Sequence, residues 1–304
     1  MKYVVTGGAG FIGSHIVKNL VNRGHLVTVI DNLHSGKMEN LESIKNKIKF
    51  EKVDILNFDK LDQILNNSDG IFHQAALTIV QESFEKEKQY FDVNVNGTKN
   101  IFEIAKKYHI RVIYASSSSV YGDTDQIPSK EDSKRKALNP YAQTKLECEI
   151  LAEQFAKNGL NVLGLRYFNV YGIGQTGTYA GVITQFLKNL KEHKSLIING
   201  NGKQIRDFIH VEDVARVNLI AMESQIKNGF FNIGTGRAIS ILELAKIMIN
   251  ISGLDLNPEF APLPHGDVKL SQADTALSKK SLGWESSITL EKGLTKLFEK
   301  NQIF

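Results

Sequence analysis

Seven residues, Gly7-Gly8-Ala9-Gly10-Phe11-Ile12-Gly13, follow directly on the short β-prone run Lys2-Tyr3-Val4-Val5-Thr6. They lead into a helical pattern carried by Ile16, Val17, Leu20 and Val21. The run has no apolar/polar alternation, as a buried parallel strand requires. Strand, glycine turn and helix in that order form the setting of a dinucleotide fingerprint. Glycines let the backbone approach a pyrophosphate, and a helix N-terminus supplies N–H donors and a positive dipole end. The motif scans two ways. Gly8, Gly10 and Gly13 fit G-x-G-x-x-G, and Gly7, Gly10 and Gly13 fit G-x-x-G-x-x-G. A second strand, Leu26 to Ile30, ends at Asp31, at the spacing of about 20 residues expected for the ribose-binding carboxylate. A carboxylate there bonds adenosine ribose and repels a 2′-phosphate, which favours NAD over NADP. Lys37, close in sequence, is the one feature that argues the other way.

Strand candidates alternate with helical patterns along the first half. Ile48 to Val53 ends at Asp54-Ile55, Gly70 to His73 at Gln74-Ala75-Ala76, and Arg111 to Ala115 at a serine run. One long helical pattern covers Ser83 to Tyr108 and includes Asn94 and Asn96, both costly inside a helix. Asn94 reads either as part of a solvated face or as a residue facing a site. His73 has no carboxylate partner in sequence and reads as structural. Asn161 to Leu165 is a further strand. The expected fold is α/β, a doubly wound parallel (Rossmann) sheet with ligands at the C-terminal strand ends.

After residue 170 the alternation becomes irregular. Helices are expected near 182–191, 211–222 and 241–251, and strands near 196–198 and 230–233. No clean linker is present. The expected organisation is a dinucleotide-binding domain over 1–168, with returns near 206–235. A smaller C-terminal substrate lobe over 169–304 is interleaved with it.

The chemistry centres on Ser116–Lys145. A serine run, Ser116 to Ser119, ends a strand, and Pro140 opens a helix that carries Tyr141 and Lys145. Four residues apart on a helix, Tyr141 and Lys145 share a face. A free tyrosine ionises near pH 10, about three units too high for a base at neutral pH. A nearby ammonium and an oxidised nicotinamide both favour the phenolate. Tyr141 is then a candidate base, and Ser117 a second hydroxyl on the same substrate oxygen.

Composition limits the alternatives. Lys and Arg exceed Asp and Glu by only four, with no basic block, which does not suggest nucleic acid. The single cysteine, Cys148, rules out an internal disulfide and fits a reducing compartment. No signal peptide and no apolar run approaching a membrane span are visible. A cytoplasmic protein with no membrane or metal site is expected.

Thr6 to Ser14, Asp31-Asn32, Ser116 to Gly122, and Tyr141 with Lys145 together resemble the extended short-chain dehydrogenase/reductases. Within them the chain is most similar to the UDP-glucose 4-epimerases and their UDP-N-acetylglucosamine relatives. The resemblance implies NAD held by Gly7, Gly10, Phe11, Ile12, Gly13, Asp31, Asn32, Ser35, Gly36, Asp54, Ile55 and Gln74 to Ala76. Asn94, Tyr141, Lys145 and Phe168 would lie at its nicotinamide half. It implies Ser117, Tyr141 and Lys145 as catalytic residues. A UDP-sugar would lie against Ser117, Asn169, Val182, Ile198, Asn199, Arg206, Asp267 and Ser271. It also implies a 4-keto intermediate and a homodimer built from the helices near 83–108 and 141–157. For Arg206 an ion pair with Asp207 or Glu212 is the plain alternative.

The chain departs from the family in places. Ser118 and Ser119 stand where dehydratases carry Asp-Glu and decarboxylases a Glu, which disfavours dehydration. Thr78 replaces a lysine of some epimerases. Pro264 replaces an arginine of the late loop, with Lys269 as a substitute cation. Ser271, where a bulky tyrosine restricts other epimerases, leaves room for an N-acetyl group. Two further readings stay open: a UDP-glucuronate 4-epimerase or other sugar-nucleotide oxidoreductase, and a non-catalytic NAD-binding module.

Overall fold

Consecutive residues of the first strand, β1 (Lys2–Thr6), feed opposite cores, because side chains alternate across a strand. Val5 packs with Ile16 and Val17 on one side, and Val4 with Ile101 and Phe102 on the other. The same holds for the rest of the sheet. Its further strands in chain order are β2 (Leu26–Ile30), β3 (Ile48–Glu51), β4 (Gly70–His73), β5 (Arg111–Ser117) and β6 (Val162–Tyr167). The computed structural model describes residues 1–124, 126–175, 181–263 and 268–302.

The smaller lobe holds three short strands, β7 (Asn169–Tyr171), β8 (Ile197–Asn199) and β9 (Ile205–His210). The chain then returns to the large sheet with β10 (Asn228–Ile233), before β11 (Ala238–Ser240) and β12 (Glu259–Ala261). The seven-stranded sheet runs β10-β6-β5-β4-β1-β2-β3 and is parallel throughout. Strand order reverses between β1 and β4. That switch point opens a crevice at the C-terminal strand ends, where ligands bind in open α/β sheets.

Helices α1 (Phe11–Asn22), α2 (Phe58–Leu65), α3 (Val80–Glu85), α4 (Glu87–Phe91), α5 (Gly97–Lys107) and α6 (Pro140–Lys157) belong to the first half. α7 (Val182–Lys191), α8 (Val211–Glu223), α9 (Ile241–Ser252), α10 (Ala276–Leu282) and α11 (Leu290–Asn301) follow. α1 and α8 cover one face of the sheet, and α2, α5 and α6 the other. A third core joins α7, α9 and α11 through Phe186, Leu244 and Leu294. Among the described residues no helix is long and apolar enough to cross a membrane, and no His/Cys/Asp/Glu group is arranged to hold a metal ion.

Two expectations about elements change. The segment 83–108 is not one helix. α3 and α4 are separate short pieces, and a π-turn over Asp92–Asn96 precedes α5. The break falls at Lys86, whose backbone leaves the helical region at φ −124°; Asn94, in the π-turn, bonds the backbone of Leu77 instead of facing solvent. The third strand stops at Glu51, because the Val53 N–H turns back to the Glu51 carbonyl.

Registration also sets the serine run forward. His73, the last residue of β4, pairs with Tyr114, so β5 continues three residues beyond its neighbour. The overhang Ala115-Ser116-Ser117 pairs only with Leu165-Arg166-Tyr167 of β6. The serines therefore stand over the crevice.

His73 itself locks the crevice floor. Thr98 Oγ1 donates to the Asn94 carbonyl (2.5 Å), so its contact with His73 Nε2 (2.9 Å) makes the ring nitrogen the donor. Nδ1 then accepts from Thr6 Oγ1 at 2.7 Å. Burial, and after it the charge of Lys145, push the imidazole pKa down to about 3. The histidine is structural and neutral. Unfolded, it takes a proton near pH 6.5; folded, only near 3. The unfolded state thus binds more protons between those values, and stability falls as the pH is lowered through them, by about 1.4 kcal/mol per unit. Urea unfolding at pH 6.5 and 4.5 will show this slope, and His73→Gln will flatten it. An equal slope in both proteins would mean that the native ring is charged.

Candidate active site

The glycine turn is built by backbone contact. Gly7 has φ +66°, and a Cβ on it would lie 2.7 Å from the Ala75 amide nitrogen. A Cβ on Gly13 would overlap the Gly7 carbonyl oxygen. Gly8 instead packs against Val29 and Val17. The backbone itself excludes a side chain at Gly7 and Gly13, whereas a Cβ on Gly10 would meet only the Gly7 carbonyl oxygen, at 3.1 Å. Gly10 is the N-cap of α1, with no side-chain cap and no acidic residue in the first turn. The helix end, with Phe11 and Ile12 in its first turn, keeps its positive character toward the crevice.

Asp31 sits at the end of β2 with its carboxylate held by two backbone N–H groups, Ala9 (3.0 Å) and Leu33 (2.8 Å). Burial raises its pKa against those two bonds. Gly36 closes over it, since a Cβ there would be 2.8 Å from Oδ2. Asn32 donates to Asp54 Oδ2 at 2.8 Å, which joins the ends of β2 and β3. Ile55 is buried, whereas Ser35 is exposed. Gln74 turns toward Tyr167 and Asn218 at 3.2 and 3.3 Å.

The serine, tyrosine and lysine converge from two elements. Ser117 ends β5, and its Oγ accepts the Ser119 N–H at 3.2 Å. Asn139 caps α6 by accepting from Ala142 (2.9 Å), and Pro140 occupies the first turn. Tyr141 follows, its N–H bonded to Ser83 Oγ at 3.2 Å. Lys145 is 6% exposed. Its ammonium donates to the Ala115 carbonyl of the overhang at 2.8 Å and lies 6.0 Å from the centre of the Tyr141 ring. The strand overhang thus orients the lysine on the neighbouring helix. Asn94 is buried, and both its amide hydrogens are engaged, by the Leu77 carbonyl (2.9 Å) and Thr144 Oγ1 (3.0 Å). It fastens the loop after β4 to α6.

Next to this trio lies a cavity of about 460 Å³ between the sheet loops and the smaller lobe. Ser117, Phe168, Asn169, Val182, Asn199, Arg206 and Ser271 line it; Tyr141 and Lys145 do not, although Asn139 at the cap of their helix does. Ile198 is not in the wall. Its side chain is fully buried in the third core, and Ile197, 48% exposed, lines the cavity instead. The sequence assignment is one residue out of phase with the strand. Asp267 and Pro264 lie outside the described residues.

Arg206 is the only Lys, Arg, Asp or Glu in the described lining. The alternative partners named for it are committed elsewhere. Asp207 is buried and accepts from Thr235, Gly236 and Ala273, and Glu212 pairs with Lys296 at 2.8 Å. Burial raises the Asp207 pKa in spite of those bonds. Lys269 points to Asp123 at 3.8 Å and is largely exposed, so it does not replace the missing arginine in this wall.

Tyr121, Gln81, Thr124 and Gln185 also line the cavity and were not singled out from sequence. Nor was Arg166, an ionised side chain inside a buried strand. Its presence there was the signal, because a buried charge demands a partner.

The sequence model of the NAD dependent epimerase/dehydratase family matches residues 3–234. The chain is 38% identical over 300 residues to a putative UDP-glucose 4-epimerase of Methanocaldococcus jannaschii, covering 97% of this chain and 96% of that protein. A UDP-N-acetyl-alpha-D-glucosaminuronate decarboxylase of Bacillus cytotoxicus is 33% identical, with 96% and 95% covered. The UDP-glucose 4-epimerase of Thermotoga maritima, solved with UDP-glucose, superposes with a TM-score of 0.95 at 35% identity, over 99% of both chains. The glycine turn, the strand-end serine and the helix-borne tyrosine and lysine thus occur in a chain that belongs to the NAD-dependent epimerase/dehydratase family.

Proposed function

We propose that the chain is an NAD-dependent 4-epimerase of a UDP-hexose. The observation that carries this is the trio Ser117, Tyr141 and Lys145 beside a cavity whose described walls contain no carboxylate. Dehydration and decarboxylation in this family use an acidic side chain after the strand-end serine. Here Ser118 and Ser119 stand in its place and line the cavity.

The residues present fit NAD. Gly7 and Gly13 let the turn fold so tightly that no Cβ would fit, the N-terminus of α1 behind it carries no side-chain cap and no acidic residue, and Asp31 presents a carboxylate at the end of the second strand. Gly7, Gly10, Phe11, Ile12 and Gly13 would hold its pyrophosphate, with Asp31, Asn32, Ser35 and Gly36 at the adenosine ribose. Asp54 and Ile55 would flank the adenine, and Gln74 to Ala76, Asn94 and Phe168 the remainder. The chemistry NAD supplies when bound is reversible uptake of a hydride from C4 of the sugar. Tyr141 takes the C4 hydroxyl proton and later returns it. Lys145, anchored on Ala115, keeps a positive charge beside the Tyr141 ring and would hold the nicotinamide ribose. Ser117 hydrogen-bonds the same oxygen. Arg206 and Asn169 hold the diphosphate, Arg206 through its paired donors, and Val182 and Asn199 border the uracil. The 4-keto sugar turns while the nucleotide stays anchored. Ser271 in the cavity wall leaves space for an N-acetyl group.

In this reading 1–168, with returns near 206–235, binds NAD, and 169–304 binds the nucleotide sugar. The enzyme acts as a cytoplasmic homodimer. Phe84 and Phe91, large aromatic side chains left exposed on α3 and α4, support a subunit contact there.

Incubation with a panel of UDP-sugars and product identification tests the function. Interconversion of UDP-glucose and UDP-galactose, or of their N-acetylated counterparts, is expected. No conversion of either pair by NAD-loaded protein would sink the reading. Tyr141→Phe should lower kcat by about 10²–10⁴ while NAD stays bound. Gly13→Ala should leave the protein folded but free of NAD, because the added methyl group overlaps the Gly7 carbonyl. The nucleotide released on denaturation measures this directly.

A further inference from the structure

Arg166, 1% exposed, lies in the middle of the fold between β5, α6 and β10. Its Nε and Nη2 meet the two Glu149 oxygens at 2.8 and 2.9 Å. Burial opposes the charge, but the Glu149 bonds outweigh it and hold the guanidinium pKa above its ordinary value. Two branches leave this pair. On one side, Ser116 Oγ donates to Glu149 Oε1 at 2.6 Å. Ser116 pairs in register with Arg166 and immediately precedes the strand-end Ser117.

On the other side the hydrogen bonds have a forced direction. A guanidinium only donates, so Tyr121 Oη accepts from Arg166 Nη1 (2.7 Å). The single phenolic hydrogen then goes to Asn232 Oδ1 at 2.6 Å. Burial pushes the Tyr121 pKa up to about 12 despite the arginine, so the phenol keeps that hydrogen. The Asn232 amide donates in turn to the carbonyls of Ser129 (2.8 Å) and Asp274 (3.2 Å). Ser129 is bonded to the Gln272–Asp274 segment in both directions, and both Ser129 and Ser271 line the cavity. A charge-anchored chain of donors therefore links the Ser117 strand end to the opposite wall. Hydrogen bonds in such chains polarise one another.

We propose that Arg166 and Glu149, acting through Tyr121 and Asn232, are positioning residues that set the gap between the serine-bearing strand end and the Ser129–Ser271 wall. They thereby align the sugar, but not the uracil end, of the substrate. The proposal rests on the epimerase reading above. Val182 on α7 and Asn199 on β8, placed at the uracil, belong to elements outside this chain of bonds, so the uracil end is independent of it.

Tyr121→Phe removes one oxygen and leaves the ring against Phe168. Its kcat on a UDP-hexose should fall about tenfold, the order expected for losing one hydrogen bond to a charged group. Inhibition by UDP alone should stay within about twofold, and NAD content should not change. Ser116→Ala, which cuts the other branch, should give the same signature, and it decides the question alone if Tyr121→Phe does not fold. Wild-type kcat in both variants would overturn the proposal. So would a parallel loss of UDP binding and NAD, which marks a general structural defect. A wild-type protein inactive on every UDP-sugar would instead reject the epimerase reading itself.

Discussion

The Gly7 backbone and the Ala75 amide approach so closely that no side chain fits between the ends of β1 and β4. The site depends on that contact. It occurs where the strand order reverses, so the chain leaves β1 and β4 in opposite directions and opens the crevice between them. Thr6 and His73, the last residues of the two strands, are bonded to each other and fix the two ends in register. With the floor held, the β5 overhang can project beyond it and present the Ala115 carbonyl to Lys145. The lysine is therefore oriented by the sheet and the tyrosine by the helix cap. The relative placement of the two is a property of the fold, not of a flexible loop.

Features carried by short-range rules were legible in the sequence. The glycine turn, Asp31 and the Tyr141–Lys145 spacing each depend on residues within about one βα unit. The seven strands of the large sheet were legible because buried parallel strands read as apolar runs. Features made by distant partners were not. Nothing near Arg166 announces Glu149, 17 residues away on a different element, or Asn232 beyond it. The role of Asn94 inside 83–108 depends on its finding the Leu77 backbone, 17 residues earlier. A strand's side chains change face with every residue, so the assignment of Ile198 instead of Ile197 to the cavity needed only a shift of one. α11 lies outside the expected helices and carries Gly293, which lowers helix tendency by about 1 kcal/mol. The residue is small because a Cβ there would overlap the Tyr171 hydroxyl.

Charge is distributed unevenly in the two halves of the site. The sheet side keeps one buried ammonium, Lys145, beside a histidine that burial and that ammonium hold neutral. Two fixed charges in so small a volume would repel. The cavity side has one guanidinium, Arg206, in its described walls. The ionised pair Arg166–Glu149 is kept one layer back, where each partner neutralises the other and neither competes for a substrate oxygen.

Many polar groups lining the cavity are hydroxyls, among them Thr78, Ser117, Ser118, Ser119, Thr124 and Ser129. Each hydroxyl rotates and can both give and take a hydrogen bond. Such a lining has no preferred handedness toward a ring of alternating hydroxyls. A sugar seated with either configuration at one carbon meets groups that can give or take a hydrogen bond. Such a wall suits an interconversion run in both directions: it holds neither epimer at the expense of the other, and the ratio of free epimers at equilibrium stays that of the two sugars in water, which no catalyst shifts.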